Sequence, residues 1–330
     1  MHIEYMSADT LPAEWDQFVA SNPHLSKSNL ALLERTNPCS QRYVAFIDQR
    51  GSVDSAMVLY KLKLDLLTYS SLRLPVRVTV VGIPCSVAVP GYMVGDTTMA
   101  QFAGYVNSIK GLVVILNSGG ELSLPGWSTG ETLPSCRLPL PYESFAEYLS
   151  AMRSHYRYRY STALRKGRPL RVDRLQDNGC FSDDLYSLYN QVYEKSGFKL
   201  EKLPISFFRQ SDADIYVFSA ESIPVGFVQL KHHAEQMQFL FGGLDYTRSS
   251  RYDTYVNMLL FIVQQSIGRG CRHIDFGQTA EDAKAKLGCQ LHPMFMYVRH
   301  SHAGLNSGIR KLIRFFAYKS PRCSFRVFKE

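Results

Sequence analysis

The 330-residue sequence has no long apolar run. Its longest, around Val256 to Val263, is far short of the ~18–20 residues a membrane helix needs, so no membrane span is expected. There is no CxxC pair and no cluster of Cys and His at metal-ligand spacing. The seven cysteines (39, 85, 136, 180, 271, 289 and 323) are scattered and odd in number. That excludes a disulfide framework and a zinc site; reduced thiols, no metal and a cytoplasmic location are expected. The opening Met1-His2-Ile3-Glu4-Tyr5 has no basic segment leading into an apolar one, so no secretory signal is expected. The chain has no GxSxG elbow, Walker loop, HExxH helix or GxGxxG turn. The usual marks of serine hydrolases, P-loop enzymes, zinc peptidases and dinucleotide enzymes are therefore missing.

What is present is an ordinary globular composition, 45% hydrophobic and 20% charged. The length suits two domains with sizeable cores. The net charge of +8 is unevenly placed. Residues 1–140 hold 10 Lys+Arg against 11 Asp+Glu, a balance of −1; residues 141–330 hold 27 against 18, a balance of +9. The excess favours an anionic ligand in the second half, such as a nucleotide-bearing thioester, a tRNA or an acidic carrier protein. A basic surface kept for solubility gives the same balance.

Along the chain the periodicity predicts an α/β protein with mixed sheets. A helix is expected from a cap at Asp9 or Thr10 to about Ser21, and another over Asn29 to Glu34. Strands are expected at Tyr43 to Ile47, Ala56 to Tyr60 and Val76 to Val81, the last ended by Gly82. A helix over Asp96 to Lys110 and a strand over Leu112 to Leu116 follow. Pro125, Pro134, Pro139 and Pro141 suggest a linker. The second half begins with one long helix over Tyr148 to Lys166, then a strand at Arg171 to Leu175. A helix capped by Ser182 covers Asp183 to Lys195, and Asp214 to Ala220 with Val225 to His232 form a hairpin. Gln238 to Phe241, His273 to Phe276 and Phe295 to Val298 are strands; Tyr252 to Ile267 is an apolar-striped helix. Gly304 to Tyr318 is a last amphipathic helix. There Arg310, Lys311, Arg314 and Lys319 stand beside Leu312, Ile313, Phe315 and Phe316, fit either to close the domain or to dock on a partner or membrane surface. The halves correspond in order: Tyr43–Tyr60 with Ile215–Leu230, and Val76–Gly82 with Met237–Gly243, each followed by a helix and a short strand.

One stretch is more specific. A hairpin and strand lead to Gly242-Gly243-Leu244-Asp245-Tyr246, a helix, then Asp275-Phe276-Gly277-Gln278-Thr279-Ala280, Lys284 and Gly288. This resembles the GNAT superfamily of acyltransferases in its FemAB-like, double-domain branch, over about residues 145–300. The resemblance implies two tandem GNAT-like domains, 1–140 (degenerate) and 141–330, each with central strands splayed apart. It implies acyl transfer to the amine of a small molecule or sugar, with acyl-CoA or an acyl carrier protein as co-substrate, no permanently bound cofactor, and aminoacyl-tRNA as the alternative donor of the Fem group. A non-catalytic module that binds an anionic partner is the reading from another class.

For the site, the resemblance implies Lys284 with Asp275 and Tyr297 in catalytic roles. Lys284 would bind a donor phosphate or stabilise a developing oxyanion. Residues 148–172 carry seven basic side chains and no acid. On one helix Arg153, Arg157, Arg165 and Arg168 would share a face suited to phosphates or a carboxylate-rich partner, the first three being the donor-binding candidates. Arg248 and Arg251 stand where GNAT domains usually carry a glycine-rich pyrophosphate loop. They join Gln278 and Thr279 as donor-binding candidates, although Thr279 suits a helix cap as well. Asp245, Tyr246 and His233 lie near the central strands and are the acceptor-binding candidates.

Overall fold

A computed structural model of the chain describes residues 1–65, 75–198, 201–319 and 325–329. In chain order its elements are β1 (His2–Tyr5), α1 (Trp15–Phe18), α2 (Lys27–Thr36), β2 (Arg42–Ile47), β3 (Val53–Asp65), β4 (Pro75–Val81), β5 (Tyr92–Val94), α3 (Met99–Ser108), β6 (Leu112–Ser118) and β7 (Ser128–Pro139). There follow α4 (Phe145–Ala151), α5 (Ser154–Gly167), β8 (Arg171–Arg174), α6 (Asp183–Lys195), α7 (Ile205–Gln210), β9 (Asp214–Ala220), β10 (Ile223–His233) and β11 (Gln236–Leu244). Last come α8 (Ser249–Tyr252), α9 (Thr254–Gly268), β12 (His273–Asp275), α10 (Glu281–Ala285), β13 (Gln290–His300) and α11 (Ala303–Phe316). These elements form two compact units. The first comprises Met1–Leu133, Leu200–Phe207 and Pro293–Ser320; the second comprises Pro134–Lys199, Phe208–His292 and Pro321–Glu330.

Each unit has a mixed sheet with the same pairing scheme. In the first, β2, β3 and β4 pair antiparallel in turn. β4 then runs parallel to β6 through Thr79–Val113, Val80–Val114 and Val81–Ile115, and β13 closes antiparallel on β6. In the second, β9, β10 and β11 pair antiparallel. β11 runs parallel to β12 through Gln236–His273, Met237–Ile274 and Gln238–Asp275, and β7 closes antiparallel on β12. Each sheet is thus completed by a strand from the other half of the sequence. Both parallel contacts last three residue pairs and then the strands part. β4 stops at Val81 while β6 continues to Ser118; β11 continues to Leu244 while β12 stops at Asp275.

The second core explains the apolar run of the sequence. Met258, Leu259, Leu260, Ile262 and Val263 of α9 are all buried, with Leu230, Met237 and Ile274 of the sheet. On the opposite face Phe227 of β10 meets the rings of Phe181 and Phe208 at 5.1 and 6.0 Å. The start of α6 is as its sequence dictates: the Ser182 hydroxyl accepts the Leu185 N–H and two aspartates occupy the first turn.

Four local expectations are corrected. The first helix is a 3-10 turn at Ala8–Thr10 and a single turn, α1, at Trp15–Phe18. The proline-rich stretch is mostly strand β7, with Pro139 as its last residue, where a missing N–H is tolerated. The hairpin of β9 and β10 turns on Glu221 and Ser222 alone, both at positive φ, the two-residue form that matches strand twist. The long helix at 148–166 is broken between α4 and α5. Met152 is extended there and bridges Phe328, while Arg153 N–H donates to Val327 O (2.9 Å) and Lys329 N–H to Ala151 O (2.9 Å). The C-terminal segment takes the hydrogen bonds a continuous helix would have made.

Six cysteines are free thiols; Cys323 lies outside the described residues. Among the described residues no helix is long and apolar enough to cross a membrane.

Candidate functional site

In the second unit the parting of β11 from β12 coincides with a fault in β11. Gln229 pairs with Phe241 and Leu230 with Phe239, which leaves Leu240 as an extra residue. Such a bulge turns backbone groups out of the ladder and re-aims them. It falls two residues past Gln238, the last residue of β11 paired with β12. The apex of the splay therefore carries redirected main chain on the β11 side.

The β12 side is a strained loop. Gly277, Thr279 and Ala280 have φ of 68°, 63° and 49°. For Thr and Ala this conformation costs about 1–2 kcal/mol each and persists only when surrounding contacts enforce it. Lys284 supplies that enforcement. Its Nζ donates to Phe276 O at 2.7 Å and Gln278 O at 2.6 Å, and the side chain is buried. Burial pushes its pKa down, against the pull of Cys136, Cys289, Asp275 and Glu281. Asp275, also buried, grips the same loop at one N–H and ties it to β7: Oδ1 accepts from Gly277 N (2.7 Å) and from the Ser135 hydroxyl (2.8 Å). Arg137 Nε stands 3.7 Å from Asp275 Oδ2. Lys284 and Asp275 are thus brought together, as parts of the loop's frame.

The other expected residues are dispersed. Tyr297 is on β13 in the first unit, hydrogen-bonded with Ser118, and burial raises its pKa first. Arg153 precedes α5 and its Nε donates to Phe328 O (3.1 Å); Arg157 donates to Met152 O (3.2 Å) and closes the end of α4. The shared arginine face does not form, because Arg153 is off the helix. Arg165 is exposed, together with Arg159, Lys166 and Arg168. Arg248 is 2.8 Å from Asp245 and Arg251 3.3 Å from Glu221. Burial raises the pKa of Asp245, but hydrogen bonds from Thr247 and Arg248 outweigh it and leave the carboxyl below the usual range. Gln278 and Thr279 belong to the strained loop. Tyr246 is partly exposed, with Lys195 Nζ 3.8 Å from its ring centre. His233 pairs with Gln236 at the start of β11, the end opposite the splay.

Two features were not foreseen. One is His292 on β13, within the second unit. Burial, then the Arg137 guanidinium, lower its pKa below 6.5, and Asp275 pulls weakly the other way. It is a neutral imidazole at neutral pH. A histidine outside any motif gave no signal. The other is what covers the first turn of α9. Asn257 Nδ2 donates to Ala163 O (2.9 Å), and a Cβ on Gly167 would lie 2.5 Å from the Asn257 amide. Asp253, the residue before the helix, carries a carboxylate 3.1 Å from Lys166 Nζ. The end of α5 and an acid thus sit against the helix end that would otherwise attract a pyrophosphate.

The first unit treats its own splay differently. Asn117, past the end of β4's pairing, donates from Nδ2 to Val87 O (2.8 Å), tying down the loop after β4. Gly91 approaches so closely that a Cβ there would be 2.2 Å from the Gly82 carbonyl carbon. Behind this loop is Glu201, which accepts from Tyr60 Oη (2.8 Å) and Ser86 Oγ (3.0 Å). Burial raises its pKa above 4.5, against those hydrogen bonds. A raised carboxyl pKa means the folded state holds the proton more tightly, so stability falls as pH rises from the ordinary glutamate range through the raised value. Glu201→Gln is therefore expected to flatten that fall and to match or exceed wild-type stability at pH 7. Thermal melts across the acid range check it.

No family model matches this sequence and no curated protein matches it. Solved structures do. FemX superposes with a TM-score of 0.57 at 12% identity, over 95% of this chain and 99% of that one. The chain has the fold of FemX. L-PGS from Bacillus licheniformis gives 0.52 at 10% identity, over 86% of this chain and 94% of that one. Saccharomyces cerevisiae N-myristoyltransferase with bound myristoyl-CoA gives 0.51 at 9% identity, over 90% and 82%.

Proposed function

We propose that this protein transfers an acyl group from a carrier-activated donor to an amine, at the splay of the second unit. The observation that carries the proposal is the coincidence of the Leu240 bulge with the point where β11 leaves β12. A backbone N–H released there can donate to the oxygen of an acyl carbonyl as charge develops on it. The strained loop at 276–280, held by Lys284 and Asp275, forms the other wall. An amine attacking an activated ester or thioester must lose a proton; His292, neutral at neutral pH, is the base.

The donor's carrier is read from α5. With α9's first turn covered by α5 and Asp253, a coenzyme pyrophosphate has no backbone cradle. The exposed Arg159, Arg165, Lys166 and Arg168 instead suit a larger polyanion. Aminoacyl-tRNA is therefore favoured over acyl-CoA, with an acyl carrier protein as the third donor to assay. FemX and L-PGS, whose folds this chain shares, have TM-scores of 0.57 and 0.52.

The test supplies each donor separately with a panel of small-molecule and amino-sugar amines. Turnover with charged tRNA, abolished by ribonuclease and falling steeply with salt, is expected; saturable turnover with acyl-CoA alone would reverse the donor assignment. No acyl consumption from any donor would end the enzymatic reading. The rate should rise with pH through the lowered pKa of His292, below 6.5. His292→Gln should remove that limb and cost about 10²–10⁴-fold in kcat.

A further inference from the structure

Helix α11 has an apolar face that its own unit does not use. Ile309 and Ile313 point inward, against the core of Tyr60, Val78, Val80, Val114 and Val298. Leu305 and Leu312 do not; they are 57% and 50% exposed. Seven residues apart, they lie about 20° from each other around the helix, on one line. Gly308 lies between them, and a Cβ there would meet nothing within 4 Å. The stripe is thus open along two turns.

Its surroundings are cationic. Residues 302–319 contain no Asp or Glu. Arg310, Lys311 and Lys319 are exposed, and Lys311 is about 100° around from Leu312. At the other end of the helix, Ser301 and Gly111 exchange hydrogen bonds (2.9 and 2.8 Å), which brings the exposed Lys110 alongside. Glu131, whose carbonyl accepts from Tyr318 N–H, is the one acid beside the helix in these contacts.

We infer that α11 lies on an anionic membrane surface, its leucines in the headgroup boundary and its cations among the headgroups. Such helices pair a narrow apolar face with basic flanks and are too polar to span. Each basic group adds attraction to a negative leaflet that salt screens. The surface is independent of the acyl-transfer reading, and its test needs no activity.

The experiment is sedimentation of the intact protein with vesicles of phosphatidylcholine mixed with phosphatidylglycerol, against vesicles of phosphatidylcholine alone. Binding to the mixed vesicles, weak or absent on the neutral ones and reduced by salt, is the expected result. Leu305→Ser with Leu312→Ser should weaken it about tenfold or more, from the apolar area no longer buried. Lys311→Glu should weaken it by a smaller factor. Both variants change exposed side chains, and circular dichroism with a thermal melt verifies folding. No binding to mixed vesicles overturns the inference, as does binding that the leucine substitutions leave unchanged. Dimerisation in sedimentation equilibrium that Leu312→Ser abolishes would overturn it too, assigning the face to a second copy of the chain.

Discussion

Replacing Lys284 with methionine is expected to lower stability by about 2–4 kcal/mol and turnover by 100-fold or more. The stability loss follows from what Nζ does. It donates to two carbonyls, the buried Phe276 O and the part-buried Gln278 O, from a side chain that is itself buried. A hydrogen bond to a charged group contributes about 1.5–3 kcal/mol, and an acceptor left unsatisfied in the interior costs a similar amount. Part of this is offset, because methionine removes a cation that burial disfavours. The turnover loss follows from Thr279 and Ala280, whose positive φ values lie in the loop that those two bonds hold together with the Asp275–Gly277 bond. Once released, the loop relaxes toward ordinary φ, and a displacement of an ångström at a site can cost two orders of magnitude.

The pH dependence carries a sign. The Lys284 pKa is below 10.5 in the folded state, so between that value and 10.5 the unfolded chain binds more protons. Stability gains from this group as pH rises across that window, and the methionine variant lacks the gain. Urea midpoints at several pH values read stability; single-turnover kinetics read the chemical step. Lost turnover at an unchanged urea midpoint would mean that Lys284 acts on the substrate and not on the loop.

This dual position of Lys284 illustrates what could be read from residues alone. The Ser182 cap, the α9 stripe and the matched order of the two halves depend on neighbours a few residues apart, and local periodicity reports them faithfully. The splay was expected through the Gly-Gly-x-Asp-Tyr and Asp-Phe-Gly pattern. What decides the site depends on contacts far apart in sequence. The break at Met152 is made by Phe328, about 175 residues on, with no proline or glycine to announce it. That β7 and β13 each complete a sheet begun in the other half of the sequence has no local signature either, since any short apolar strand would serve. Arg153 and Arg157 looked like free cations because composition does not say which carbonyl a guanidinium will find. Lys284 is singled out in the sequence for a catalytic role, while its burial, and so its place in the loop's frame, comes from tertiary contacts that bring Cys136 and Cys289 near it.

Gly243→Val is expected to cost more than 3 kcal/mol and to abolish activity, whereas Gly277→Ala should cost about 1–2 kcal/mol. The two glycines stand on opposite walls of the splay and are required for different reasons. Gly243 is a matter of space. A Cβ there would lie 2.3 Å from Cε1 of Phe227 and 2.7 Å from Cβ of Leu188. Neither neighbour can yield. Phe227 is fully buried, edge-on to Phe181 and Phe208, and Leu188 is fixed to the backbone of α6. Valine must lift α6 off β11, and overpacking that displaces main chain exceeds the usual 1–3 kcal/mol. Gly277 is a matter of conformation. Its nearest neighbour to a new Cβ is Phe239 O at 3.8 Å, ordinary contact, but its φ is +68°. Alanine there bears the left-handed penalty alone. Thermal and urea unfolding of the two variants should therefore separate clearly, with Gly277→Ala still folded and showing its larger defect in turnover. If Gly243→Val unfolds no more readily than Gly277→Ala, then α6 does not rest on β11 as closely as these contacts require, and the wall that carries the Leu240 bulge is not rigid.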